Sequence, residues 1–403
     1  MYEMGREEVE AVTEVLNGGQ LFRYRGGEGG QVDRAERMLI ASTGSRHALV
    51  LTSGTAALIC GLVGMGIGPG DEVIVPAYTW LASAGAVLSA GAIPVLAEVD
   101  ETLTLDPEDL ERRIGPRTQA VIPVHMSGRP SDMDRILAVA EAHGLFVLED
   151  ACQAIGGTYR GRPLGSIGNA GAFSFNQFKT ISCGEGGALV TDDHRIHERA
   201  LYQHDMGCTF RGHAGEMAET PFLGNTYRMN EILGAVLRVQ LDRLEGIVAR
   251  LRQRQQWILD TVRADGAPLQ VSPSADAAGD CGCKASFLFP TAEARTRVAE
   301  HAAAQDPDCR LGSPIDSGLH VYTNWSVLLQ QQCGHQDACN PFRMPANRAC
   351  RLDLSADACP RTLAILARTG TIDIGLAWTE DDCRRIAGAL CRAAREVEAV
   401  ACS

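Results

Sequence analysis

Ala172-Phe-Ser-Phe-Asn-Gln-Phe-Lys179-Thr-Ile-Ser-Cys-Gly-Glu-Gly-Gly187 is the stretch on which the reading of this chain turns. It holds one of only two lysines in a sequence with 37 basic residues; the other is Lys284. An arginine keeps its proton in a protein and cannot form an imine, whereas a lysine that loses its proton can attack a carbonyl. The alternation Ala-Phe-Ser-Phe reads as a strand. Gly-Glu-Gly-Gly reads as a turn of the kind that lets backbone approach a ligand. Lys179 is therefore a candidate imine-forming amine at the end of a buried strand. The competing reading is an ordinary lysine on a surface loop.

Outward from this stretch the chain alternates strands and helices. Strands are expected at 48–52, 72–76, 93–97, 119–124 and 145–150, and helices at 56–64, 79–89, 132–143 and 193–203. Apolar strands alternating with helices imply an α/β fold, a mostly parallel sheet covered on both faces in a three-layer large domain. Ligands of such sheets bind beyond the carboxyl ends of the strands, where Ser53, Asp150 and Lys179 fall. A long helix, 230–262, closes a large domain of residues 1–262, with an N-terminal helix and lid segment. A smaller α+β domain is expected over 263–403. The Gly-rich run 18–30 is expected to be a mobile lid whose Arg23 and Tyr24 meet substrate.

Composition narrows the function. Of 403 residues 45% are apolar and 22% charged, with a net charge of −13. That balance argues against nucleic acid or an anionic membrane as partner. The acidic N-terminus does not read as an export signal, and no apolar run is long enough to span a bilayer. The fourteen cysteines are accordingly expected to be reduced thiols in the cytoplasm. Cys281/Cys283 and Cys333/Cys339 lack zinc-ligand spacing, so no metal is expected. His204, His213, His320 and His335 are scattered and read as structural. Gly64-Met-Gly-Ile-Gly68 follows a helix rather than a strand and is a turn, not a dinucleotide fingerprint.

Thr52-Ser53-Gly54-Thr55 joins a strand to a helix, and free N–H groups there would make a phosphate cup; a simple N-cap reads equally well. Asp150 ends a buried strand, where a carboxylate would keep a pyridinium nitrogen protonated. Gln153 would reach the phenolic oxygen of the same ring, and Trp80 would stack on it. Cup, carboxylate and amine together describe a pyridoxal 5'-phosphate site.

These segments resemble the DegT/StrS family of aminotransferases of the fold-type I superfamily, which act on keto-sugars and cyclitols and include aminohydroxybenzoate synthases. The resemblance runs over 50–58, 68–76, 123–128, 149–154, 173–187 and 227–231 and weakens after Gly266. It implies a homodimer with shared active sites, in which Lys179 carries the cofactor and moves protons. Asp150 and Gln153 would hold the ring, while Ser53, Gly54, Thr55, Ser174, Asn176 and Asn225 would surround the cofactor. Arg228 would reach the neighbouring subunit's phosphate; Thr226 stands where many relatives have asparagine. Substrate candidates are Arg23, Tyr24, Glu185, His320 and Tyr322. The implied reaction is ping-pong transfer of an amino group from glutamate or glutamine to a cyclic ketone. The alternatives are a dehydrating, aromatising synthase and a catalytically silent regulator.

Overall fold

The computed structural model describes residues 2–25, 29–209, 217–334, 336–352 and 354–401. His213 and His335 lie outside the described residues. Seven strands form one sheet in the order His47–Leu51, Gly187–Thr191, Ala170–Ser174, Phe146–Asp150, Thr118–Val121, Glu72–Pro76 and Ile93–Ala97. All neighbours are parallel except Gly187–Thr191, which runs antiparallel to both of its partners. That strand is absent from the sequence reading. Its first residues belong to the glycine run after Lys179, and Gly187 is required there because a Cβ would come within 2.2 Å of the Ser53 carbonyl oxygen.

The helix Gly54–Gly64 packs flat on the sheet, and nine of its eleven residues are buried. A helix that is apolar but for Thr55 and rich in small residues suits a position covered on nearly every side. Gly61 is one of those small residues; a Cβ on it would meet Leu148 at 2.8 Å. Val50, Ile74, Val121 and Val147 feed one apolar core, and Leu49, Val73, Ile122 and Leu148 feed the other across the sheet. Burying a side chain of this size is worth about 1.5–3 kcal/mol, so the two cores fix the strands and hence the loops at their carboxyl ends.

Glu231–Asp265 is a single helix, capped by Asn230, whose side chain accepts the Leu233 N–H at 3.0 Å. Glu231 accepts the N–H of Gln31, which ties this helix to the start of Gln31–Thr43. A second sheet of three antiparallel strands, Gln270–Val271, Lys284–Leu288 and Thr369–Asp373, follows. Between its last two strands the chain returns to the large sheet. Val321, Tyr322, Trp325 and Leu328 are buried in the same core as Val73 and Ile93. Among the described residues no helix is long and apolar enough to cross a membrane. Ten of the thirteen described cysteines are buried.

Candidate functional site

Three strand ends converge at one rim of the large sheet. Ser53 caps the helix Gly54–Gly64 by accepting the Ala56 N–H at 3.0 Å. The next residue must be glycine: a Cβ on Gly54 would lie 2.7 Å from Cys152 Sγ and 2.8 Å from Ser174 Cβ. The turn at 53–55 is thus wedged between the ends of Phe146–Asp150 and Ala170–Ser174. Cys152 links the groups further: its thiol is pushed well up by burial first and by the Asp150 carboxylate second, against the opposing charge of Lys179.

Asp150 is 5% exposed. Its Oδ2 accepts from Ser83 Oγ at 2.7 Å and its Oδ1 from the Cys152 N–H at 3.1 Å. Ser83 Oγ is also 2.8 Å from Thr79 Oγ1. Both carboxylate oxygens keep a free lone-pair direction. Glu149, one residue earlier, faces the opposite side. It accepts N–H groups from Gly165, Ile167 and Gly168 and lies 2.9 Å from His125 Nε2. His125 Nδ1 accepts the Ser131 N–H at 3.1 Å, so the ring proton sits on Nε2 and points to Glu149. This network supports the next turn. Ser127 adopts a left-handed conformation (φ 56°) that costs a non-glycine residue about 1–2 kcal/mol. Its N–H donates to Gln153 Oε1 at 3.2 Å. Strain of this kind concentrates at functional sites.

Lys179 sits on the turn that leaves Ala170–Ser174. Its N–H donates to the Asn176 carbonyl at 3.1 Å, and Asn176 Oδ1 accepts the Phe178 N–H at 3.0 Å. Asn176 therefore shapes the turn that presents the lysine. Lys179 lines a cleft of about 220 Å³ together with Gln153, Tyr78, Ser127 and His320. Lys284 and Asp373, ion-paired across adjacent strands of the small sheet, line the opposite side. Both lysines of the chain face the same cleft.

His320 donates through Nδ1 to the Ser317 carbonyl at 2.9 Å, leaving Nε2 as an acceptor. Burial, then the charges of Lys179 and Lys284, lower its pKa and favour the neutral ring. The indole of Trp80, 44% exposed, lies beside it with ring centroids 5.0 Å apart.

Residues 2–304 match the DegT/DnrJ/EryC1/StrS aminotransferase family. The chain belongs to that family. It is 48% identical over 206 residues to the spore coat polysaccharide biosynthesis protein SpsC of Bacillus subtilis, a match that covers 50% of this chain and 52% of SpsC. The chain thus spans about half the length of that curated relative. Among solved structures it resembles 3-amino-5-hydroxybenzoic acid synthase, with 30% identity, TM-score 0.78 and 98% of each chain covered. It also resembles DesI, solved in the presence of its TDP-sugar product, with 27% identity, TM-score 0.76 and 99% and 93% of the two chains covered.

The cofactor of this aminotransferase family is pyridoxal phosphate, and the donor set suits it. A cleft amine, a buried carboxylate held by two donors, an amide and a helix start that excludes a Cβ are the groups its aldehyde, ring and phosphate require.

Other expected site residues lie elsewhere. Arg23 does not face solvent from a lid: it is 4% exposed, donates to the Val50 carbonyl at 3.0 Å and pairs with Glu36. The pairing with Glu36, a carboxylate that also accepts the Val50 N–H at 2.7 Å, accounts for that burial. Tyr322 too lies outside the cleft lining. It is fully buried, and its hydroxyl donates to the Ala356 carbonyl and accepts the Cys359 N–H. Tyr24 hydroxyl meets His204 Nε2 at 3.1 Å. Glu185 is exposed and outside the cleft lining. Asn225 is held through its backbone by Gln203 and Met206. Arg228 pairs with the fully buried Asp205 and lies over the Phe22 ring at 5.3 Å; it does not line the cleft. Tyr78, Ser127, Ser317 and Lys284 went unrecognised as cleft residues. Only the scarcity of lysine could have flagged Lys284.

Proposed function

We propose that the protein is a pyridoxal-phosphate-dependent aminotransferase that moves an amino group from glutamate or glutamine to a cyclic ketone of the keto-sugar or keto-cyclitol class. The observation that supports this reading is the cleft that Lys179, the rare amine, lines together with Gln153. Pyridoxal phosphate, when bound, supplies an aldehyde for amines and a ring that withdraws electrons. The chain's own residues do the rest. Lys179 anchors the cofactor and moves the proton. Asp150, fixed by Ser83 and the Cys152 N–H, keeps a negative charge at the ring nitrogen. Gln153, fixed by Ser127, addresses the ring oxygen. The N–H groups at Gly54 and Thr55, with Ser53 and Ser174, take the phosphate, and Trp80 covers the ring. Asn176 shapes the Lys179 turn. Arg228 and Asn225 belong to the face offered to a second copy of the chain, in a homodimer with shared sites.

The sugar assignment is supported by SpsC, whose name places it in polysaccharide biosynthesis, and by DesI with its TDP-sugar product. A panel of keto-sugars and keto-cyclitols with each donor tests it. Return of the starting visible spectrum on adding one ketone class supports transfer to that class; return with none refutes it. The likeness to 3-amino-5-hydroxybenzoic acid synthase favours a second reading, a dehydrating synthase. Loss of water from an amino-ketone, followed by mass spectrometry, would select it.

A further inference from the structure

Three imidazoles meet at the edge of the large sheet away from the cleft. His47 opens the strand His47–Leu51, opposite Thr191. His194 and His197 lie on the first turns of the helix His194–His204, three residues apart and so on one face. One ring nitrogen from each lies within 4.8 Å of the others. The rings of His47 and His197 stack at 4.5 Å, and His47 and His194 are 5.3 Å apart. At about 3.3 Å per residue the cluster is some ~20 Å along the strand from Ser53.

Local structure explains the convergence. Asp193 caps the helix, accepting the N–H groups of Arg195 and Ile196 at 2.8 and 3.2 Å, which fixes the first turn over the strand's start. A buried carboxylate then orients His194 from behind. His194 Nε2 is 3.0 Å from Glu198 Oε1, and Glu198 is 2% exposed and anchored by the Ala218 and Glu219 N–H groups. A carboxylate on the outer nitrogen of a histidine is the arrangement that supports metal-ligating imidazoles. His194 is 67% exposed on its side chain, so ions reach it from solvent.

We propose that His47, His194 and His197 bind a divalent transition-metal cation of the zinc class, outside the amino-transfer cleft. Three imidazoles with a water in the fourth position suit such an ion, whereas magnesium and calcium select oxygen ligands. Ring rotations bring the nitrogens to about 2.0–2.1 Å from the metal. The ion would pin the start of a helix whose other end carries His204 and leads into Asp205, the partner of Arg228.

The test uses the full chain loaded with cofactor, without an affinity tag, stripped by chelator and titrated with zinc chloride. We expect one zinc per chain and a Tm rise of about 3–8 °C at saturation. Cobalt in place of zinc should show no thiolate-to-metal band, which excludes the cysteines as ligands. The surface substitution His194→Gln should leave the metal-free Tm unchanged and weaken zinc binding at least about tenfold; His47→Gln should do likewise. No bound zinc, an unmoved Tm, a thiolate band, or wild-type affinity in both variants would each overturn the proposal. Because the readouts are metal content and Tm, they stand whatever the ketone panel gives.

Discussion

Acidification should loosen this protein through His204. The ring has no exposed surface, its Nδ1 donates to the Leu201 carbonyl at 2.9 Å, and its Nε2 accepts from the Tyr24 hydroxyl. Burial, reinforced by the Arg23 charge, lowers its pKa from 6.5 to about 3. Between those values the unfolded chain binds a proton that the folded chain refuses. The stabilisation is therefore complete above pH 6.5 and is lost as pH falls, at up to about 1.4 kcal/mol per unit. From pH 7.5 to 5.0 the loss is about 2 kcal/mol. Urea unfolding of wild type and His204→Asn at both pH values isolates this group, since all other titrations are common to the two proteins. Wild type should lose about 2 kcal/mol more than the variant over that interval. Equal losses would refute the reasoning.

Arg23→Ala leaves Glu36, which keeps the Val50 N–H, without its cation, and should cost about 1–3 kcal/mol in unfolding experiments while leaving KM for donor and ketone unchanged. Tyr322→Phe removes one buried hydroxyl and should cost about 1–2 kcal/mol, read as a lower Tm with normal turnover. Gly54→Ala forces a Cβ to 2.7 Å from Cys152 Sγ and should displace the 53–55 turn, weakening pyridoxal phosphate binding at least about tenfold in an absorbance titration. Lys284→Gln should raise KM about tenfold for whichever substrate brings an anionic group to the cleft, without altering the bound-cofactor spectrum.

The order of strands and helices was legible because each has a clean period and a buried side. The sheet's carboxyl rim was legible for the same reason, since Ser53, Asp150 and Lys179 all follow or end predicted strands. Gly187–Thr191 was missed because its reversal is set by backbone clearance at Gly187, which no hydropathy pattern records. The burial of Arg23 and Tyr322 was not legible because an arginine in a glycine-rich run and a tyrosine near a histidine look solvent-facing until their partners, Glu36 and Ala356, are brought in from elsewhere. The far wall of the cleft, with Lys284, Asp373 and Ser317, is assembled by the return of the C-terminal third to the large sheet. Local sequence has no access to that kind of packing. The three histidines at the sheet edge were hidden in the same way.

With only two lysines in the chain, borohydride reduction of the cofactor-loaded protein followed by peptide mapping locates the attachment point directly. The account expects the added cofactor mass on the peptide containing Lys179, and none after Lys179→Ala. Mass on the Lys284 peptide, or no covalent attachment to either lysine, would contradict it.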